Sequence, residues 1–420
     1  MMLWRNSFFN NLKEFRYVFL FGIIIFAFNI ALQYYNFSLF KKNKHYLIEN
    51  AILLQNYTKY NKKNKKYWIL KIQAKDFTFY TTSFKDLNLS NNQLLNLKII
   101  TENISFKDYL SQIFYVPSYD LEKLKIKEQN AIISYFLNQH TNEKIREFYG
   151  ALFFALPISK DLRNDVNHYG IAHLIAISGY HIGLIFSLIF FILTPIYSFF
   201  QKKYFPYRNL RFDLSILIFI LLFSYTYLIG FVPSYMRSLT MAIFGFYLIC
   251  KNIKVLNFFT LFASIFICIC LYPKLLFSIG FLFSIMGVFY IFLYLHHFSK
   301  SFNAFFNVLF LNIWTFFAMT LPVIYFFPLI SYQQILSIFL SAIFVIFYPL
   351  SLILHFIGIG DLFDFALKEF FNFKLYSINV QIPFWIFISY IVASLLSIRF
   401  KLLALFCIFS NLLPFIIIVI

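Results

Sequence analysis

Long apolar runs fill most of this sequence, and they constrain its fold more than any other feature. A helix needs roughly 20 apolar residues to cross the hydrocarbon core of a bilayer. We count about ten candidate spans, at 17–37, 172–200, 212–231, 235–250, 255–272, 276–296, 304–327, 334–357, 381–398 and 402–420. The residues are 61% hydrophobic and 13% charged. The sequence therefore predicts a polytopic α-helical membrane protein rather than a soluble globule.

The sequence divides into five parts around one sizeable polar region. Residues 1–40 read as a short basic leader and an uncleaved anchor, because no small-residue cleavage site follows the first apolar run. Residues 41–120 contain strand-like segments between turn formers, which predict a small β-rich domain. Residues 121–170 have apolar positions three and four apart, as in an amphipathic helical connector. Residues 171–360 contain most of the spans. Residues 361–420 contain an interfacial amphipathic helix and a final transmembrane pair. The sequence of that helix, GDLFDFALKEFFNFK, begins at residue 360.

Basic residues are concentrated in alternate short loops. If the N-terminus is cytoplasmic, QKKYFPYRNLR and the loops with Lys251, Lys300 and Lys368 all fall on the cytoplasmic side. This is the orientation that the positive-inside rule predicts, and it places the polar region outside. The formal net charge of +19 also suits an anionic partner.

The stretch GIAHLIAISGYHIGL places polar groups inside an apolar run. His173, Ser178 and His181 lie there, with Gly179 beside the serine. Ionisable groups at membrane depth are costly and mark functional sites. On a regular helix His173 and Ser178 face about 140° apart, so the three side chains converge only if the helix breaks near Gly179. The alternative is that they bond across packed helices. A Ser-His-Asp hydrolase would need an acidic partner, and no later span holds one inside.

A second interruption is GFVPSYMR. Pro233 and Ser234 lie where a new helix begins, and Ser234 is a candidate cap. A helix N-terminus followed by Arg237 one turn later would form an anion-binding mouth. The alternative is an arginine that extends its charge to the interface.

The polar region mixes lysines with aromatic residues. Stacking rings beside lysines that follow the backbone are typical of proteins that bind single-stranded nucleic acid. The candidate external DNA contacts are Lys62, Lys63, Lys65, Lys66, Trp68, Phe79 and Tyr80. In a sequence that is 23% aromatic, the rings could equally form an ordinary barrel core.

Several common site patterns are missing from the sequence. It has no P-loop, so we expect no ATP-driven step of its own. All four cysteines lie in apolar runs, and no clustered histidines and aspartates suggest a metal nuclease. We therefore expect no cofactor, no metal and no enzymatic activity.

Four segments together resemble the ComEC competence family, the inner-membrane DNA channel of natural transformation. HLIAISGYHIGLI is similar to that family's signature, and GFVPSYMRSLTMA to its glycine-proline-serine-arginine stretch. YPKLLFSIGFLFSIMGVFYI and TFFAMTLPVIYFFPLISYQQILSIFLSAIFVIFYPL resemble its later helices. The resemblance covers roughly 150–360. The polar region before it stands where the family carries an OB-like domain, a match of position alone.

The resemblance implies a multi-pass protein of the bacterial inner membrane that conducts single-stranded DNA into the cytoplasm. The implied DNA path comprises His173, Ser178, Gly179, His181, Pro233, Ser234 and Arg237. The implied partners are single-stranded DNA, membrane lipid, a periplasmic DNA receptor, a separate cytoplasmic motor or DNA-binding protein, and a second copy of the chain in a homo-oligomer. Many members end in a metallo-β-lactamase-like domain. This chain reaches Ile420 without one and resembles a short form, so strand degradation is expected of another protein.

Two interpretations from other classes remain open. One is a membrane-embedded enzyme that acts on an anionic lipid or glycan, with His173 or His181 as the base. The other is a transporter for a small anion. Both would leave the external domain indifferent to DNA.

Overall fold

The computed structural model describes residues 12–60, 64–74, 77–85, 87, 89–90, 92–111, 114–126, 130–253 and 255–417. Its first part is a long helix followed by a sheet domain that contains one short helix. The elements are α1 (Leu12–Lys41), β1 (His45–Tyr60), β2 (Lys66–Gln73), β3 (Thr78–Ser83), β4 (Gln93–Ile100), α2 (Phe106–Ser111), β5 (Phe114–Tyr115) and β6 (Ser118–Ile126).

The six strands form one sheet in the order β5-β3-β2-β1-β4-β6. All pairs are antiparallel except β3 with β5. The long β1 pairs with β2 and β4, and its register shifts between Leu53 and Gln55 and between Ile48 and Ala51. Such irregularities bend a strand. Side chains packed on the covered face include Leu53, Leu70, Ile72, Phe79, Leu95 and Leu97. This confirms a β-rich domain near the N-terminus, whereas its OB-like identity stays a prediction.

The predicted helical connector begins later than the sequence suggested. Residues 121–126 belong to β6, which pairs with β4 and carries the ion pair between Asp120 and Lys98 at 3.0 Å. The helical prediction was wrong for this segment. Lys123, Leu124, Lys125 and Ile126 alternate with a period of two, which is the pattern of a strand with one face packed.

The rest of the described chain is mostly helical. Its helices are α3 (Ala131–Leu137), α4 (Glu143–Phe154), α5 (Lys160–His168), α6 (Ala172–Ile175), α7 (Gly179–Tyr204), α8 (Leu210–Ile229), α9 (Pro233–Cys250), α10 (Phe258–Leu271), α11 (Ile279–Phe298), α12 (Ala304–Phe326), α13 (Leu336–Ile357), α14 (Asp364–Asn372), α15 (Phe384–Leu396), α16 (Lys401–Ser410) and α17 (Leu413–Ile417). The short strands β7 (Ile330–Ser331) and β8 (Ser377–Ile378) pair antiparallel, and single 3-10 turns cover Pro273–Phe277, Tyr332–Ile335 and Gly360–Phe363.

Six helices in the described residues are long and apolar enough to cross a membrane. They are Arg16–Lys41, Gly179–Tyr204, Leu210–Ile229, Ile279–Phe298, Ala304–Phe326 and Tyr332–Ile357. Four further predicted spans correspond to shorter apolar helices, Ser234–Cys250, Phe258–Leu271, Phe384–Leu396 and Lys401–Phe415. The membrane class of the fold is therefore supported, and the count of about ten spans is not confirmed. The predicted amphipathic helix near 360–374 is present as α14.

Helices α3 to α6 pack into one core with α13 and α14. Phe153, Tyr149 and Phe371 are almost fully buried in this core. Asp165 on α5 is also buried, and it forms ion pairs with Lys144 of α4 and with Lys374 after α14. The C-terminal part of the chain therefore folds back onto the connector, across the predicted boundary near 360.

Both the sheet domain and its anchor α1 contact the helical part. The Gln55 side chain in β1 donates a hydrogen bond to the Ile158 carbonyl, just before α5. In α1, Asn29 donates to the Cys270 carbonyl at 2.7 Å. A Cβ at Gly22 would lie 2.3 Å from the Phe266 ring, so glycine allows α1 to approach α10 closely.

Candidate functional site

The apolar signature run is a broken helix. Helix α6 ends at Ile175, Ala176 is extended, and α7 begins at Gly179. Ser178 is the N-cap of α7, and its hydroxyl accepts the Tyr180 N–H at 3.3 Å. This is the break that the sequence required for its polar residues to converge. Three of them, His173, Ser178 and His181, lie on the two sides of one short interruption.

His181 holds the two sides of the break together. Its Nε2 donates to the Leu174 carbonyl at 2.9 Å, and its Nδ1 accepts the Ser178 N–H at 3.3 Å. The ring is fully buried and stands edge-on to Phe344 and Tyr348 of α13. With one nitrogen donating and the other accepting, the ring is neutral and serves two backbone groups that the break leaves unpaired.

His173 lies on the exposed side of the break and contacts α13. Its Nδ1 donates to the Gly170 carbonyl at 3.1 Å, and its Nε2 is 3.1 Å from the Ser341 hydroxyl. The Tyr180 hydroxyl donates to the Ser341 carbonyl at 3.0 Å, and the residue is 41% exposed. Two aromatic polar side chains therefore converge on one residue of α13 and leave part of their surface open.

The second interruption, GFVPSYMR, starts α9. Val232 is the N-cap and Pro233 occupies the first helical position. The predicted cap, Ser234, lies instead inside the first turn, where its carbonyl accepts the Ser238 hydroxyl at 2.9 Å. The cap prediction was wrong because the fixed φ of proline suits the first helical position, so the helix begins at Pro233, two residues earlier than a Ser234 cap would give.

Arg237 is buried in the helical part of the chain, with only 4% of its surface exposed. Its guanidinium carbon lies 5.8 Å from the centre of the Phe281 ring, a cation–π distance. Its Nε is buried and has no hydrogen-bond partner among the described residues. A buried unpaired donor is costly, so this arginine can bind an anion that reaches it.

The two signature stretches meet at Gly179. A Cβ placed at Gly179 would lie 3.9 Å from the Ser238 side chain, so the start of α7 lies beside the first turns of α9. Arg237 itself faces Phe281 of α11, and no hydrogen bond between described residues joins it to His173 or His181. The stretches are neighbours in the fold, and a common path for the three ionisable side chains stays a prediction.

The predicted external DNA contacts differ in whether a strand of DNA could reach them. Phe79 is fully buried in the core, so its ring is closed to a base, and its assignment as a contact is corrected. Tyr80 points to the opposite, open face, because side chains alternate along a strand. Lys66 lies 5.1 Å from the Trp68 ring at the start of β2. Lys65 is exposed, and Lys62 and Lys63 lie outside the described residues.

The open face of the sheet contains residues that the sequence analysis missed. Lys71 pairs with Tyr80 in register, and its ammonium lies 5.8 Å from that ring. Burial and the charge of Arg163 on α5 both lower the pKa of Lys71. Burial raises the pKa of Tyr57 on β1, and Arg163 partly opposes that shift. Tyr57, Lys71, Tyr80 and Arg163 thus form one cationic, aromatic surface between the sheet and α5, here called the open-face patch.

Comparison with known proteins gives one match. No curated protein and no solved structure shows significant similarity to the chain. Among protein families, the competence protein family matches residues 156–420, which is 265 of the 420 residues. The matched region contains the broken helix, the Arg237 stretch and α14. The chain therefore belongs to the competence protein family, whose members take part in DNA uptake.

Proposed function

We propose that this chain conducts single-stranded DNA across the bacterial inner membrane into the cytoplasm during natural transformation. The observation that carries the proposal is the broken helix at 175–179, which brings polar side chains into an apolar run within the family match. In this proposal the N-terminus is cytoplasmic, the sheet domain is external, and the four shorter apolar helices complete about ten membrane segments.

The physics of the cargo requires a wet path. A strand with one phosphate per ~3.4 Å places on the order of nine phosphates within a ~30 Å hydrocarbon core. At about 3 kcal/mol for each charge in hydrocarbon, a dry route would cost tens of kcal/mol. Helix breaks line water-filled cavities in other membrane proteins, and His173 and Tyr180 supply polar groups of this kind.

The energy for import comes from a partner in this proposal. An inside-negative potential opposes a phosphate by roughly 2.3 kcal/mol per 100 mV. The sequence has no P-loop, so a separate cytoplasmic motor or DNA-binding protein pulls the strand. In the same proposal a periplasmic receptor delivers the DNA, and a second copy of the chain is a further partner.

The open-face patch receives the strand before it reaches the membrane part. Its tyrosines offer stacking surfaces, and Lys71 and Arg163 offer charge for the phosphates. Because Arg163 belongs to α5, just before the broken helix, the patch joins the sheet domain to the signature stretch. In this proposal Tyr80 remains a predicted DNA contact, and Phe79 is no longer one.

The proposal is tested in a strain that lacks the chain. Labelled DNA should stall outside the inner membrane of such a cell and fail to reach the cytoplasm. Restoring the full chain should restore cytoplasmic label. If label reaches the cytoplasm at the normal rate without the chain, the conduit is another protein, and an enzymatic role on lipid or glycan becomes the better explanation.

A further inference from the structure

Three ionisable side chains outside the signature stretches form one buried chain of hydrogen bonds. His140 lies between α3 and α4, His355 belongs to α13, and Asp364 starts α14. The Nδ1 atom of His140 is 2.9 Å and 3.1 Å from the two carboxylate oxygens of Asp364. Its Nε2 is 2.9 Å from Nε2 of His355, whose Nδ1 is 2.6 Å from the Ser351 carbonyl oxygen.

These contacts fix how many protons the three side chains must hold. A carbonyl oxygen only accepts, so Nδ1 of His355 carries a hydrogen, and Nε2 of the neutral ring is an acceptor. His140 must then donate from Nε2, which leaves Nδ1 of a neutral His140 as an acceptor facing the Asp364 carboxylate. A carboxylate is also an acceptor only. Two neutral imidazoles and one carboxylate are therefore one proton short of the observed contacts.

We propose that Asp364, His140 and His355 form a buried proton-binding site that takes up one proton from solvent and thereby holds α14 against α13 and the α3–α4 turn. The proton binds the Asp364 carboxylate and is shared with Nδ1 of His140. No bond between heavy atoms forms or breaks. Solvent reaches the site through Asp364, whose side chain is 18% exposed, whereas both imidazoles are fully buried.

The surroundings favour the uncharged, protonated form of Asp364. Burial, together with the negative charge of Asp361, raises the pKa of Asp364 to about 6. Burial lowers the pKa of His140 to about 4, and Arg146, which donates to the His140 carbonyl at 2.9 Å, adds to that effect. Tyr149 stacks on His140 at 4.5 Å, and burial raises its pKa, so it stays neutral. The proton therefore resides mainly on the carboxyl group.

The site is in direct contact with the chain that leads into α14. The Gly360 N–H donates to the Gln139 side chain at 2.7 Å, and Gln139 donates to the His355 carbonyl at 3.0 Å. A Cβ at Gly360 would lie 2.5 Å from the Gln139 oxygen and 2.7 Å from the His355 ring. Loss of the proton would set two acceptors against each other at 2.9 Å beside this contact, so α14 would loosen at its N-terminal end.

The sign of the pH effect follows from the two shifted pKa values. Asp364 binds its proton more tightly when the chain is folded, so its stabilising contribution is present at low pH and lost as the pH rises past about 6. His140 has the opposite shift, so for unfolding of the whole site its contribution offsets that of Asp364 between about pH 4 and its usual 6.5. Release of α14 alone exposes Asp364 but leaves both imidazoles packed against Phe136, Tyr149 and Phe153. The Asp364 shift therefore sets the sign for this local opening, and α14 docking weakens as the pH rises to about 6 and changes little above it.

Hydrogen exchange of the purified full chain tests this inference without any DNA readout. Amide protection in α14 is measured by mass spectrometry from about pH 5 to about pH 9, a range that brackets buried carboxyl pKa values. Each exchange rate is corrected for the intrinsic pH dependence of amide exchange and divided by the rate measured for α11 in the same sample. The wild-type chain should lose protection in α14 on the order of tenfold between about pH 5 and about pH 7, since pH 5 lies one unit below the Asp364 pKa of about 6 and each unit carries a factor of about ten.

Three variants distinguish the proton from other causes. Asp364→Asn keeps a donor toward His140 at every pH, so α14 should stay protected throughout. Asp364→Ala should show the loosened state at every pH. Asp361→Asn removes the same charge from a carboxylate that has no hydrogen bond to His140, and should keep a pH-dependent profile. A flat wild-type profile, an Asp364→Asn profile that matches the wild type, or normal protection in Asp364→Ala would each overturn the inference.

Discussion

The Nε2 atom of His181 donates a hydrogen bond to the carbonyl oxygen of Leu174 at 2.9 Å, across the gap between α6 and α7. The same ring accepts the Ser178 N–H on the other side of the gap. One buried imidazole therefore replaces the helical hydrogen bonds that the break removes. A helix can be interrupted inside an apolar run only if such groups find partners. We therefore propose that His181 shapes the broken helix and does not contact the DNA strand.

Replacing His181 by Ala should destabilise the protein. The change removes two hydrogen bonds from buried backbone groups, and each unsatisfied group costs about 1–3 kcal/mol. His181→Gln should be milder, because glutamine at this position completes a capping box with Ser178. The measurement is the thermal midpoint of the purified chain in one detergent. His296→Ala, at an exposed position on α11, is the matched control, and equal melting of both alanine variants would contradict the assigned role.

The break could be foreseen from the sequence, because polar residues and a glycine interrupt an otherwise apolar run. Which of Phe79 and Tyr80 faces the core could not be foreseen, because a register shift of one residue exchanges the two faces of a strand. The Asp364 site was also invisible to sequence analysis. Its partner His140 lies 224 residues away, and the contact depends on the return of α14 to the connector.

The open-face patch predicts how the protein binds single-stranded DNA. Lys71→Ala and Arg163→Ala should each lower the slope of log affinity against log salt by about 0.7, the value of one phosphate contact on a single strand. Tyr80→Ala should instead weaken binding by about 1–3 kcal/mol, the value of one stacked base, with little change in slope. Equilibrium binding of labelled oligonucleotide to the full chain gives both quantities.

The control for the patch is Lys123→Ala, an exposed lysine on β6 at the other edge of the sheet. The Lys123→Ala variant should change the salt slope and the affinity less than Lys71→Ala and Tyr80→Ala do. If the Lys123 and Lys71 variants behave alike, binding follows the overall charge rather than the patch. If Lys66→Ala carries the effect and Lys71→Ala does not, the strand lies beside Trp68 instead.

The orientation of the chain predicts where reporter fusions are active. Fusions after Arg208 and after Lys300 should report the cytoplasm, because short basic loops remain inside. A fusion after Lys85, in the sheet domain, should report the outside. The assay pairs a reporter that is active only in the cytoplasm with one that is active only outside. An external signal at Arg208 would require a further crossing before α7, in the segment that contains α4 and α5.

Arg237 makes the sharpest test of the conduit. Its guanidinium is almost fully buried and its Nε lacks a partner among the described residues, so a phosphate would supply the missing acceptor. Arg237→Ala should abolish arrival of DNA in the cytoplasm while leaving the amount of inserted protein and the external capture of DNA unchanged. Arg237→Lys should retain part of the import if charge alone matters, and little if a bidentate contact is needed. Arg211→Ala, an exposed cation in the first turn of α8, is the matched control and should transform normally. If a strain with Arg237→Ala takes up DNA by transformation as often as the control strain, the arginine only packs against Phe281 and the DNA strand passes elsewhere.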